Sequence, residues 1–177
     1  GALADWFDFE LVAAVAAERD DWAFVLIGPD YEGALARHRS RLKGDNILVL
    51  GPRDYAQLPA YLARFDVATI PFRINDITLA TSPLKLYEYF AGGKPVVTSP
   101  MPECQAFPEV IIADGPAAFS AGLDTARARA TDPAFRARLR ELARQNDWAA
   151  RVDAVLPLWA ASRHIVRRCS AWSSRSR

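Results

Sequence analysis

The chain has 177 residues, 51% hydrophobic and 24% charged, with a net charge of +1, which suits one globular domain and argues against nucleic acid as its main partner. No run of about 18 apolar residues and no charged-then-apolar leader occurs, so neither a membrane-spanning helix nor a signal peptide is expected. Cys104 and Cys169 lie far apart with no Cys/His cluster, so a disulfide framework or zinc site is not expected and a cytoplasmic setting fits.

In chain order, "DFELVAAVAAERDD" sets Phe9, Val12 and Ala16 on one helical face. Residues 23–28, "AFVLIG", make an apolar strand of the kind covered on both faces. A basic helix over 31–42 and a second buried strand, "ILVL" at 47–50, follow. A helix is expected from Asp54, a good N-cap, with Pro59 disturbing its middle. Further strands are expected at 66–72, 95–99 and 109–114, and arginine-rich helices at 116–130 and 132–146, the second opened by Asp132–Pro133. A closing helix is expected over 148–168, where Trp148, Val152, Val155 and Trp159 form an apolar stripe bent at Pro157. Residues 169–177 read as a disordered tail. Five arginines and no acid follow Asp153. That segment reads as a solvated end, its other reading being a peripheral contact with anionic lipid at the inner membrane face.

Strands alternating with helices make βαβ units. The fold class is therefore α/β: a Rossmann-like parallel sheet with helices on both faces, over residues 1–147. Such sheets bind ligands at the carboxyl ends of their strands, here the loops starting at Gly28, Gly51, Phe72 and Thr98. The opening "GALADWFDFE" runs from loop into helix, whereas a βα unit begins with a strand. A strand before residue 1, within a larger protein, is expected.

The stretch "TSPLKLYEYFAGGKPVV", residues 81–97, carries the chemistry. Ser82 is a favourable N-cap and Pro83 suits the first helical position, with Gly92 at C′. The N–H groups of Leu84 and Lys85 then point out of a helix end that favours an anion. The hydroxyls of Thr81 and Ser82 and the ammonium of Lys85 make that end suitable for a phosphate or diphosphate. Glu88, about 7 Å further along at roughly 1.5 Å per residue, is placed to accept from two adjacent ribose hydroxyls. The plain alternative is a capped core helix with Lys85 and Glu88 as an i,i+3 ion pair. His38 and His164 have no catalytic partner at informative spacing and read as surface residues.

"PLKLYEYFAGGKPVV" followed by "TSPMPE" resembles the donor-nucleotide motif of GT-B glycosyltransferases, most closely the bacterial family 4-like, group 1 enzymes. "GALADWFDFELV", "WAFVLIGP", "NILVLGPRDYAQLPAYLARFDVATIPF" and "NDWAARVDAV" resemble other pieces of their C-terminal domain, in the same order, over about residues 1–160. The resemblance implies the C-terminal half of a two-domain enzyme that binds a nucleotide-diphosphate sugar, with an N-terminal acceptor domain as its partner. It implies that Glu88 holds the donor ribose, that Thr81, Ser82, Leu84 and Lys85 meet the diphosphate, and that Lys85 and Glu88 are the catalytic pair. Arg53 and Tyr55 fall where the nucleobase packs, Gly28 and Pro29 where the chain turns close to the donor, and Gly1 on the first diphosphate loop. No Asp-x-Asp occurs, so no metal and no other cofactor is implied.

One position departs from the family pattern. Where the first glutamate of the E-x7-E motif would stand, this chain has Ala80, and Asp76 in "RINDITLAT" is the candidate substitute. Arg73 is a second candidate for the diphosphate. Two other functions fit the same residues: a nucleotide-sugar 2-epimerase-like isomerase, and a non-catalytic degenerate module, which Ala80 favours.

Overall fold

The computed structural model describes residues 1–157. Helix α1 (Phe9–Glu18) starts where the Asp8 carboxylate accepts from the amides of Glu10 and Leu11, and its inner face buries Phe9, Val12 and Ala16. Strand β1 (Phe24–Ile27) leads to α2 (Ala34–His38), a 3₁₀ turn at Arg39–Arg41, and β2 (Ile47–Gly51). A 3₁₀ turn at Tyr55–Gln57 feeds α3 (Leu58–Arg64), followed by β3 (Ala68–Ile70) and α4 (Asp76–Leu79). Then come α5 (Leu84–Ala91), β4 (Val96–Thr98), α6 (Pro102–Gln105), β5 (Ile111–Ile112), α7 (Gly115–Ala130) and α8 (Pro133–Gln145). A further helical stretch begins at 148 and reaches the last described residue.

Among the described residues, β1–β2, β3–β4 and β4–β5 all pair in parallel, as the βαβ reading requires. Adjacent residues of β4 show how the layers form, because alternate side chains leave opposite faces of a strand. Val96 packs with Leu86 and Phe90 of α5 and Leu139 of α8. Val97 packs with Leu11 and Val15 of α1 and Phe119 and Leu123 of α7. Helices therefore cover both faces of the β3–β4–β5 sheet.

The strands are not one continuous sheet. β1 pairs with β2, β3–β4–β5 form a second group, and no ladder joins β1 to β3. For that reason β1 is half-buried along its whole length, although its apolar run reads as a fully covered strand.

Local differences from the sequence reading have physical causes. The basic helix over 31–42 splits after His38 into a 3₁₀ turn. Pro59 opens α3 instead of interrupting it, since its missing N–H costs nothing in a first turn, and Asp54 makes no side-chain cap. The short helices α4 and α6 lie within segments too brief to show a period, α4 being fixed by a reciprocal Asn75–Thr78 capping box. His38 stacks on Phe9 and is half-buried. Trp148, Val152 and Val155 of the closing helix are exposed, while Trp159, His164 and the expected tail lie outside the described residues.

Cys104 is fully buried beside Thr98, and burial pushes its thiol up to about 11 from an ordinary 9.0. The folded state therefore keeps a proton that the unfolded state gives up. Its contribution is complete below about pH 9 and is lost as pH rises through about 11, worth roughly 2–3 kcal/mol. Urea midpoints measured from pH 8 to 11 are expected to fall for the native chain and to fall less steeply for Cys104→Ala.

Candidate functional site

The expected site segments meet at the carboxyl ends of the strands. Gly28 follows β1, and a Cβ there would fall 1.6 Å from the Gly1 carbonyl oxygen, so only glycine lets the first loop lie against this turn. Leu3 donates to the Pro29 carbonyl at 2.9 Å, which fixes the same loop from the other side. Gly1 in turn abuts Lys85: a Cβ on Gly1 would stand 2.0 Å from the lysine Cε. Gly1, Gly28, Pro29 and Lys85 thus form one contiguous corner.

Lys85 and Glu88 are held by α5, whose packing explains their positions. Leu86 and Phe90 point into the core, leaving Leu84 and Glu88 exposed and Lys85 half-buried. The helix begins one residue later than the sequence suggests. Pro83 is the N-cap and Leu84 the first helical residue, so the amides of Leu84 and Lys85 still open the helix. At the other end the left-handed C′ position expected at Gly92 falls one residue later. Gly93 (φ 62°) is the left-handed C′ residue and donates to Phe90, while Lys94 donates to Tyr89. Gly92 stays right-handed and is needed for space, since a Cβ would meet Leu62 at 2.7 Å.

No ion pair joins Lys85 to Glu88. The lysine ammonium lies 5.0 Å from the centre of the Phe72 ring, and burial lowers its pKa, partly offset by the Glu88 charge. Glu88 accepts from the Tyr55 hydroxyl at 3.0 Å, a bond that raises the tyrosine pKa. Tyr55 is 75% exposed, so it reaches across from the end of β2 to the carboxylate as a free-standing side chain.

Other expected residues are engaged elsewhere. Ser82 does not cap the helix: its hydroxyl donates to Glu103 Oε1 at 3.1 Å. Thr81 donates to the Ile77 carbonyl at 2.6 Å. Arg53 donates to Tyr61 Oη at 3.1 Å and Arg73 lies 3.8 Å from Glu10, which also pairs with Arg41. Asp76 is exposed in the first turn of α4, and Ala80 is exposed at its C-cap, one turn on.

Glu103, which closes the "TSPMPE" segment, is the partner that the sequence does not announce. Its Oε1 also accepts from Tyr87 at 2.6 Å and lies 3.7 Å from Arg151, whose guanidinium covers the Tyr87 ring. Burial and the Glu103 bond push Tyr87 up to about 12. Tyr87 and Ser82 lie on or beside α5, while Arg151 comes from the helical stretch after 148, so only the fold reveals the cluster.

Comparison with known proteins agrees with this architecture. TuaH of Bacillus subtilis (strain 168), named as a teichuronic acid biosynthesis glycosyltransferase, is 28% identical over 153 residues, covering 84% of this chain and 38% of its own. The crystal structure of WaaG, a glycosyltransferase involved in lipopolysaccharide biosynthesis, shares the fold, with a TM-score of 0.50 and 17% identity. The match covers 81% of this chain and 41% of WaaG, so the chain spans well under half the length of either relative. The model of the glycosyl transferases group 1 family matches residues 4–158, and the chain belongs to that family, with a GT-B, Rossmann-like fold.

Proposed function

We propose that this chain is the donor-binding part of a glycosyltransferase and holds a nucleotide-diphosphate sugar at the start of α5. The observation that carries the reading is the arrangement of one helix: an opening pair of amides, a half-buried lysine, and an exposed carboxylate one turn further on. The diphosphate is assigned to Lys85, the amides of Leu84 and Lys85 and the Gly1–Gly28 corner. The ribose is assigned to Glu88 and the base to the neighbourhood of Tyr55.

In this reading, negative charge accumulates on the departing diphosphate as the sugar–phosphate bond breaks. The helix start and the lysine stabilise that charge, which lowers the barrier without requiring a metal ion. Glu88 fixes the ribose and so orients the anomeric carbon. The acceptor and any base acting on it come from a partner domain.

Calorimetric titration with UDP, GDP, ADP and dTDP in the presence of EDTA tests the proposal. One diphosphate is expected to bind at least about tenfold more tightly than the corresponding monophosphate, since a charge-assisted contact is worth roughly 1.5–3 kcal/mol. Lys85→Ala should remove most of that difference. Affinity for the diphosphate should fall as pH rises, because the protonated ammonium is the binding form and burial makes it titrate earlier than an ordinary lysine. Failure of every diphosphate to bind would favour the non-catalytic module.

A further inference from the structure

Two aromatic rings meet at the same end of the sheet as the Gly1–Gly28–Lys85 corner. Trp6 lies on the loop before α1 and Tyr31 on the loop between β1 and α2. Their ring centres are 5.6 Å apart and their planes are tilted by 43°, so neither ring is covered by a flat stack on the other. Tyr31 is 46% exposed, and Trp6 is half-buried, backed by the cluster that holds Phe72 and Leu86. Nothing in the donor assignment above uses either ring.

The two loops are fastened to each other. Leu3 donates to the Pro29 carbonyl at 2.9 Å and accepts from the Tyr31 amide at 3.0 Å. Arg37 braces the pair from outside: its guanidinium donates to the Glu32 carbonyl at 2.7 Å and to the Asp5 carboxylate at 2.6 Å. Those are the chain neighbours of Tyr31 and Trp6. From the other side the Arg73 amide donates to the Trp6 carbonyl at 2.8 Å, and the residue before it, Phe72, carries the Lys85 ammonium near its ring. Glu32 is left-handed at φ 53°, the one non-glycine residue so placed among the described residues, and this strain is kept at the tip that presents Tyr31. Rings held in place before a ligand arrives lose little freedom on binding.

A pyranose ring fits these surroundings. It has an apolar face of axial C–H bonds and a rim of hydroxyls. The C–H face meets the electron-rich face of an aromatic ring, while the hydroxyls meet the Asp5 carboxylate, the Arg37 guanidinium and the donors at the edges of the two rings. Two rings beside an ion pair are too small for a protein interface, which takes about 800 Å² from each partner. The chain belongs to a glycosyltransferase family, and ligands of such sheets bind at this end, so sugar rings are the substrates to be held here. We infer that Trp6 and Tyr31 form an aromatic seat for a pyranose ring, belonging either to the acceptor or to the donor's own sugar. This seat does not depend on where the nucleotide lies along α5, and its first test contains no nucleotide, so either assignment can fail alone.

The test titrates the isotope-labelled 177-residue chain, followed by NMR, with both anomeric methyl glycosides of glucose, galactose, N-acetylglucosamine and glucuronic acid. At least one is expected to bind at millimolar concentration and to shift the Trp6 indole resonance. Tyr31→Ala should weaken that binding about fivefold or more while leaving Tm unchanged, and Tyr31→Phe, which keeps the ring, should retain it. Such binding makes the seat one for the acceptor. A second arm compares UDP-glucose, GDP-mannose, ADP-glucose and dTDP-glucose with their own nucleoside diphosphates. A loss of about fivefold or more in the advantage of the sugar form, in Tyr31→Ala but not Tyr31→Phe, makes the seat one for the donor's sugar. The inference is overturned if no glycoside or nucleotide sugar binds, or if Tyr31→Ala binds all of them as the native chain does. Equal losses in Tyr31→Ala and Tyr31→Phe would overturn it too, since the hydroxyl and not the ring would then be the contact.

Discussion

Glu88→Ala is expected to weaken binding of the preferred ribonucleoside diphosphate by roughly 30- to 150-fold, or about 2–3 kcal/mol, as loss of one carboxylate that accepts from two ribose hydroxyls. The substitution should leave Tm nearly unchanged, because Glu88 is exposed and, among the described residues, its carboxylate makes one hydrogen bond, with Tyr55. A cycle with the 2′-deoxy form of the same diphosphate makes the test specific. The native chain should prefer the ribose form by tenfold or more, and Glu88→Ala should bind both forms alike. An undiminished preference in the variant would remove the ribose assignment while leaving the diphosphate assignment standing. Tyr55→Phe frees the carboxylate of its competing donor and should not reproduce the loss.

The largest stability effect is expected at Phe90. Its ring is fully buried, 5.4 Å from Phe107 and 6.4 Å from Tyr87, both edge-on, in the cluster that joins α5 to α8. Phe90→Ala should cost about 3–5 kcal/mol, a large share of the roughly 5–15 kcal/mol that a domain has. Tm should drop by roughly 6–20 °C. Phe90→Leu keeps most of the volume and should cost about 1.5 kcal/mol or less. Nucleotide binding should fail in Phe90→Ala only as the chain unfolds, and equal loss at a temperature where it is fully folded would mean that α5 had shifted.

The sequence was most informative where one helix decides its own geometry. The α5 stretch has an apolar period, a proline before it and glycines after it, so its start, end and exposed Glu88 are legible to within one residue. The left-handed turn fell on Gly93, while Gly92 is held to glycine by Leu62, distant in sequence, which occupies the space beside it. Parallel strands were legible from alternation with helices, but the gap between β1 and β3 was not, since an apolar run looks the same whether its neighbour is another strand or a cavity. The side chains that reach sideways were the least legible. Arg53 and Arg73 find Tyr61 and Glu10, and Ser82 finds Glu103, through long-range packing that no local pattern announces.

Glu103 also makes the two ends of this region reciprocal. One of its oxygens serves the Ser82 and Tyr87 hydroxyls, with the Arg151 guanidinium close by. Drawing the helical stretch after 148 away would remove that positive neighbour and leave the carboxylate oxygen to the Ser82 and Tyr87 hydroxyls. An anion settling beside Ser82 would compete for the same hydroxyl and leave the oxygen freer to hold Arg151. By linkage the two events must favour or oppose each other equally in both directions. The carboxylate is in effect a pivot, through which the C-terminal helix and the head of α5 weigh on one another.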